Sequence, residues 1–137
     1  MSTHRGPVLS VLGVALLAVN PACADHRLTG VASGCTVLPV AVSHGTAPTF
    51  SWDAACQVEA IIVAFPGPGA VTWNVFSVNL TNSIASPVAY GITPPGAAMT
   101  ANMVQPLVSG TTYIVTLIRV DTPGGPPQGV GSATFVP

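Results

Sequence analysis

The chain contains no lysine. Arg5, Arg27 and Arg119 face Asp25, Asp53, Glu59 and Asp121, so only 5% of the sequence is charged, where ordinary soluble proteins carry about 25%. So few cations cannot neutralise a phosphodiester backbone or grip an anionic bilayer, which excludes nucleic acid as a partner. Runs of like charge are missing too, and 49% of the residues are apolar, which excludes a disordered chain and leaves enough material for one core. The cysteines form no CxxC pair, which argues against a thiolate metal site. No Gly-rich loop opens a helix to cradle a phosphate, and no nucleotide or other cofactor is expected. No apolar run reaches the roughly 20 residues a membrane-spanning helix needs. Helical periodicity of useful length is absent as well.

What is present begins with an export signal. Arg5 supplies a short basic start, and Val8 to Val19 is apolar apart from Ser10 and Gly13. Ala22-Cys23-Ala24 is a small-x-small cleavage site, so residues 1–24 read as a signal peptide removed before Asp25. Cleavage before Cys23, leaving a lipid-anchored cysteine, is the alternative; Asn20-Pro21-Ala22 lacks the leucine expected three residues ahead of such a site. Either route delivers a secreted or envelope protein to an oxidising compartment with Cys35 and Cys56 in its folded part, where a pair of cysteines is expected to join. A turn-like Ser43-His44-Gly45-Thr46 lies midway between them. If 36–42 and 48–53 pair about it, both cysteines meet at the open end of the hairpin. Such a loop contributes about 3 kcal/mol in the chain-entropy account. Two buried thiols are the other reading.

Gly and Pro, 14 of each, recur between short β-branched runs, as in a chain of strands and turns. Residues 25–35 are small and polar, a lead-in. Strands are expected at Thr36–Val42, with Pro39 suiting an edge, at Thr49–Trp52, at the very apolar Val58–Phe65, and at Val71–Phe76. Ser86–Gly91 reads as a short edge strand, Pro94-Pro95-Gly96 as a turn, and Met99–Val104 as another strand. Thr111–Val120 is rich in β-branched residues, Thr122–Gln128 is a loop, and Gly129–Val136 is the last strand. The expectation is an all-β antiparallel sandwich of about seven strands over residues 36–137.

Two motifs carry a family resemblance. Leu107-Val108-Ser109-Gly110-Thr111-Thr112-Tyr113-Ile114-Val115 resembles the corner before the penultimate strand of fibronectin type III domains, which are immunoglobulin-like sandwiches of cell-surface proteins. The resemblance implies a tyrosine corner, with the Tyr113 ring in the core and its hydroxyl bonded to nearby backbone, Leu107 beneath the turn and Gly110 giving it freedom. Pro48-Thr49-Phe50-Ser51-Trp52 is similar to the family's second strand, which implies Phe50 and Trp52 in the core beside Val115. The sequence departs from that family in carrying Cys35 and Cys56, and its middle is irregular. An exported bacterial sandwich of another immunoglobulin-like type fits as well. The Thr122–Gln128 loop has no Arg-Gly-Asp, so integrin-type adhesion is not implied.

Chemistry is scarce. His26 sits in the lead-in and His44 in the hairpin turn, neither beside a nucleophile it could serve. Asp53 and Glu59 could form an acid pair, but strand alternation puts them toward solvent, and no catalytic residue is assigned. Copper would need Met99, Met103, His26 and His44 together, a spacing that matches no recognised motif. Exposed rings are the better binding candidates: Trp73, Phe76 and Tyr90 lie outside the family motifs, and Trp73 and Phe76 point to opposite faces. Core packing is the favoured reading of each, but one such ring facing solvent would suit a sugar or a protein partner. Asn79-Leu80-Thr81 is an N-glycosylation acceptor pattern. The expected role is a non-catalytic extracytoplasmic module that binds a protein or carbohydrate at the cell surface. The alternatives are a self-associating structural component and a copper-binding sandwich. Intact-mass measurement of the exported chain should find it starting at Asp25; an acylated Cys23 at its start would contradict this.

Overall fold

The computed structural model describes residues 34–68, 70–99 and 104–137. The leader, its cleavage site, Cys23, His26 and Met103 lie outside the described residues. Eight strands follow in order: β1 Ala41–Val42, β2 Thr49–Ser51, β3 Ala60–Ala64, β4 Val71–Ser77, β5 Val88–Ala89, β6 Ala97–Met99, β7 Tyr113–Val120 and β8 Pro127–Phe135. They form a three-stranded sheet, β1-β2-β5, and a five-stranded sheet, β6-β4-β3-β7-β8. Every pairing is antiparallel. The described residues contain no helix, and so none long and apolar enough to cross a membrane.

The sheets meet through their inward faces. β7 alternates cleanly, with Tyr113, Val115, Leu117 and Arg119 buried and the residues between them half-buried, the pattern a period-2 strand imposes. β3 lies between β4 and β7, which explains why it is the most apolar run: its ladder is saturated on both sides. Phe50 of β2 stacks on Trp73 of β4 across the gap at 6.1 Å and meets the Phe135 ring of β8 edge-on at 5.6 Å. Tyr113 lies 5.8 Å from Phe135, and Tyr90 tilts against Trp73 at 5.3 Å. Ring pairs of this kind add about 0.5–1.5 kcal/mol each beyond their buried area.

The hairpin forms as the sequence suggests. Ala41 pairs with Ser51 and Val42 with Phe50, and Gly45 turns the corner at φ +101°. At its open end Cys35 and Cys56 join in a disulfide, with Cα atoms 5.6 Å apart. The first strand is much shorter than the expected Thr36–Val42. Its front half leaves β2, and the Leu38 N–H donates to the Val130 carbonyl of β8 at 2.7 Å. The change of partner falls at Pro39, which has no N–H to keep a ladder going. Thus one segment touches both sheets. Where a strand is expected at Met99–Val104, one is found at Ala97–Met99, after the Gly96 turn in which the Ala97 N–H donates to the Pro94 carbonyl, and residues 100–103 lie outside the described residues. β8 begins at Pro127 rather than Gly129, a position a proline tolerates at the start of an edge strand.

Two local features hold this arrangement. The Tyr113 hydroxyl accepts the Val108 N–H at 3.0 Å, with its ring buried, Leu107 buried beside it and Gly110 at φ +78°. At Gly131 a Cβ would strike the Leu38 carbonyl oxygen and come within 3.2 Å of the Leu38 Cβ. Only glycine lets the crossing segment lie this close to β8. The ladder shifts register just before it, pairing Leu117 with Gly131 and Ile118 with Gly129. Val130 is the extra residue of that bulge, which aims its carbonyl at Leu38. Gly131→Ala should therefore cost about 1–3 kcal/mol, read as a lower urea midpoint, and Tyr113→Phe about 1 kcal/mol. An unchanged midpoint in either variant would remove the corresponding contact from the account.

Candidate functional site

Every Asp, Glu and Arg side chain among the described residues lies at one end of the sandwich. Asp53 and Glu59 are in the β2–β3 connection, Arg119 is near the end of β7, and Asp121 opens the β7–β8 connection. These segments share an end because β3 and β7 are antiparallel, with Ala60 opposite Ile118. The opposite end, built from 43–48, 65–70 and the segment before Tyr113, has His44 and no acid, lysine or arginine. The few charges among the described residues are thus gathered at one pole.

The loops of that pole are tied to one another. Within 52–59 the Trp52 indole N–H donates to the Cys56 carbonyl at 2.6 Å, and Asp53 accepts the Ala55 N–H at 2.9 Å. Cys56 is bonded to Cys35, and the Arg119 guanidinium donates to the Gln57 carbonyl. The β4–β5 connection joins next: Val58 and Ile84 exchange backbone hydrogen bonds at 3.0 Å, and Ser86 Oγ accepts the Trp52 N–H at 2.9 Å. Asn82 then clamps the end of β7, its amide donating to the Val120 carbonyl at 2.6 Å and accepting the Val120 N–H at 3.0 Å. Loops pinned this way present a surface that keeps its shape, as binding loops on a rigid scaffold do.

In that surface is a depression of about 260 Å³ lined by Glu59, Leu80, Val120, Gly124, Gly125 and Pro127. Glu59 corrects the expectation that it faces solvent: it is 5% exposed. Its N–H donates to Ile118 of β7 while its carbonyl accepts the Ser77 N–H of β4. In a regular antiparallel strand both groups of one residue serve the same neighbour. The backbone is therefore kinked at Glu59, and counting by twos fails there. The carboxyl has no hydrogen-bond or ion-pair partner among the described residues, since Arg119 has turned to Gln57. Burial alone pushes its pKa up from the ordinary 4.5. Leu80, on the rim, holds φ at +52° and is 66% exposed. A leucine in the left-handed region costs about 1–2 kcal/mol.

The rings read as ligand-facing candidates are placed otherwise. Trp73 and Tyr90 are both buried in the core, so neither faces a ligand. Trp73 lies between the sheets and donates its indole N–H to the Met99 sulfur; the Tyr90 hydroxyl donates to the Gln105 carbonyl at 2.6 Å. Each ring has its polar atom satisfied inside the protein, which strand alternation cannot reveal. Phe76 is half-buried on the outer face. Phe50, Trp52 and Val115 are in the core. His44 is in an exposed turn, Met99 is engaged by Trp73, and the described residues contain no group of three His, Cys, Asp or Glu side chains able to hold a metal. Asn79 is exposed in the turn after β4.

Two larger concavities carry less chemistry. One is an open groove of about 660 Å³ between Thr36–Pro39 and β7–β8; the other, of about 590 Å³, lies at the uncharged end among Phe65, Val71, Pro106 and Val108. Neither contains a charged side chain. No family model matches the chain, and no curated protein or solved structure resembles it.

The buried acid makes a stability prediction. A carboxyl whose folded pKa exceeds its unfolded one stabilises the fold only while protonated, and that contribution is lost as pH rises through the folded value. Glu59→Gln should therefore raise the thermal midpoint at pH 7 and leave it unchanged near pH 4. A lower midpoint at pH 7 would mean that the ionised carboxyl has a stabilising partner.

Proposed function

We propose that this is a non-catalytic extracytoplasmic binding module that engages a protein partner through the loops 52–59, 78–87 and 121–126. The observation that carries the reading is the pole itself: loops 52–59 and 78–87 tied to each other and to the end of β7 by the Val58–Ile84 exchange and the Ser86, Arg119 and Asn82 hydrogen bonds, beside the 121–126 loop, and bearing every acidic and guanidinium group among the described residues. A tie of that kind is more than stability needs at a loop end. It lowers the ordering cost that a flexible surface would incur on binding.

The fold reading that accompanies it is an immunoglobulin-like, fibronectin type III-like sandwich. The order β1-β2-β5 against β4-β3-β7-β8 and the Val108–Tyr113 bond support it, while β6, inserted between β5 and β7 in sequence and paired to β4, departs from it. In immunoglobulin variable domains the loops at the corresponding end form the recognition surface; that likeness is analogy and does not fix function. Export follows from the leader motif and agrees with the disulfide.

A second reading, self-association, is favoured by one observation. Ile62, Phe76, Ile114 and Ile118 lie half-buried on the outer face of the five-stranded sheet, with Thr116 and Asn74 and no charge among them. Light scattering would then give a mass that rises with concentration, and Thr116→Lys would abolish the rise; a strict monomer removes the reading. For the module itself, a photo-reactive residue replacing Ala54, exposed at the charged pole, should give discrete adducts in the exporting cell. The same residue replacing Thr46 at the other pole should give none. Failure of both, or identical adducts from both, would overturn the proposal.

A further inference from the structure

We infer that the Glu59 depression receives the side-chain ammonium of a lysine presented by a partner protein. This rests on the binding-module reading and names what the pole takes.

The site has the two halves a lysine needs. Its lining includes one acidic residue, Glu59, 5% exposed as a whole and with no partner among the described residues, whose carboxyl oxygens keep contact with solvent. Around it are the apolar surfaces of Leu80, Val120 and Pro127, with Gly124 and Gly125 leaving the wall low. A lysine is a compact charge on an alkyl stem, and buries that stem along apolar surface while its head finds an acceptor. Volume agrees: about 260 Å³ admits a side chain and excludes a folded element or a sugar chain.

Other cations fit less well. A guanidinium presents a fork of donors that wants several planar acceptors, and Glu59 offers one carboxyl. Calcium takes at least about six oxygen ligands, and the lining has no second acidic side chain. A second copy cannot supply the group, because the chain has no lysine. Among the described residues the wider pole favours a cationic partner: Asp53, Glu59 and Asp121 stand against Arg119, a field that steers positive charge toward the loops. The exposed Leu80, held at φ +52°, then has a role as the wall against which the stem lies.

The test uses the mature, oxidised protein labelled with nitrogen-15 and titrated with Nα-acetyl-lysine-N-methylamide as the probe. Saturable shifts at the Leu80, Gly124 and Gly125 amides, with a millimolar dissociation constant and no movement at Gly45, are expected. The Nε-acetylated probe should move none of them. Glu59→Gln, its fold checked by the rest of its spectrum, should weaken binding by about tenfold or more. Leu80→Ala, which leaves the carboxyl in place, should weaken it by a smaller factor. Unmoved amides, or equal shifts with Glu59→Gln or with the acetylated probe, would overturn the inference. If adducts from position 54 persisted undiminished in Glu59→Gln, the module reading would stand and the lysine site would fall.

Discussion

The disulfide between Cys35 and Cys56 fixes where the chain enters the sandwich, and the charged pole takes its shape from that bond. It fastens the start of the crossing segment to the loop that follows β2. With the segment anchored there, Leu38 can reach β8 and lie against Gly131. With the loop anchored there, the Cys56 carbonyl is in place for the Trp52 indole and the Gln57 carbonyl for Arg119. Cross-linking residues 21 apart stabilises by about 3 kcal/mol through the unfolded chain. Its positional effect on the loops matters more for function.

Scarcity of charge shapes the rest. A lysine-free chain cannot solubilise its edges with ammonium groups, the common device, and here the crossing segment covers part of β8 instead. Among the described residues Asp53 caps its own loop, Arg119 supports Gln57, and Glu59 lies in the depression with little exposure and no partner. A poorly hydrated carboxyl is unfavourable when ionised, and the strained Leu80 beside it adds to the cost. Two adjacent unfavourable features on one rigid surface are what a binding site shows before its ligand arrives.

Much of the architecture was legible in the residues. Apolar alternation in 113–120, the apolar run 58–65 and the Gly and Pro punctuation located the central strands, and the spacing about Ser43–Thr46 brought the cysteines together. What escaped was whatever depends on long-range packing. Nothing near Pro39 says that its segment will change sheets. The start of the strand after Gly96 was missed because Ala97 and Ala98 carry little β signal of their own. Exposure of Trp73 or Tyr90 stayed open beside core packing because alternation gives two faces and does not say which is the core; their bonds to Met99 and Gln105 come from distant chain. Glu59 was misread for a sharper reason, since a kink that divides its N–H and C=O between two strands has no sequence mark.

The central claim is that the charged pole is a rigid, preformed surface. Hydrogen exchange of the native, oxidised protein addresses it residue by residue. The amides of Cys56, Val58, Ile84 and Val120, each donating across or within the pole, should exchange as slowly as those in the middle of β3 and β7. If they exchanged as fast as the amides of the 43–47 turn while β3 and β7 stayed protected, the pole would be mobile and the account would be wrong.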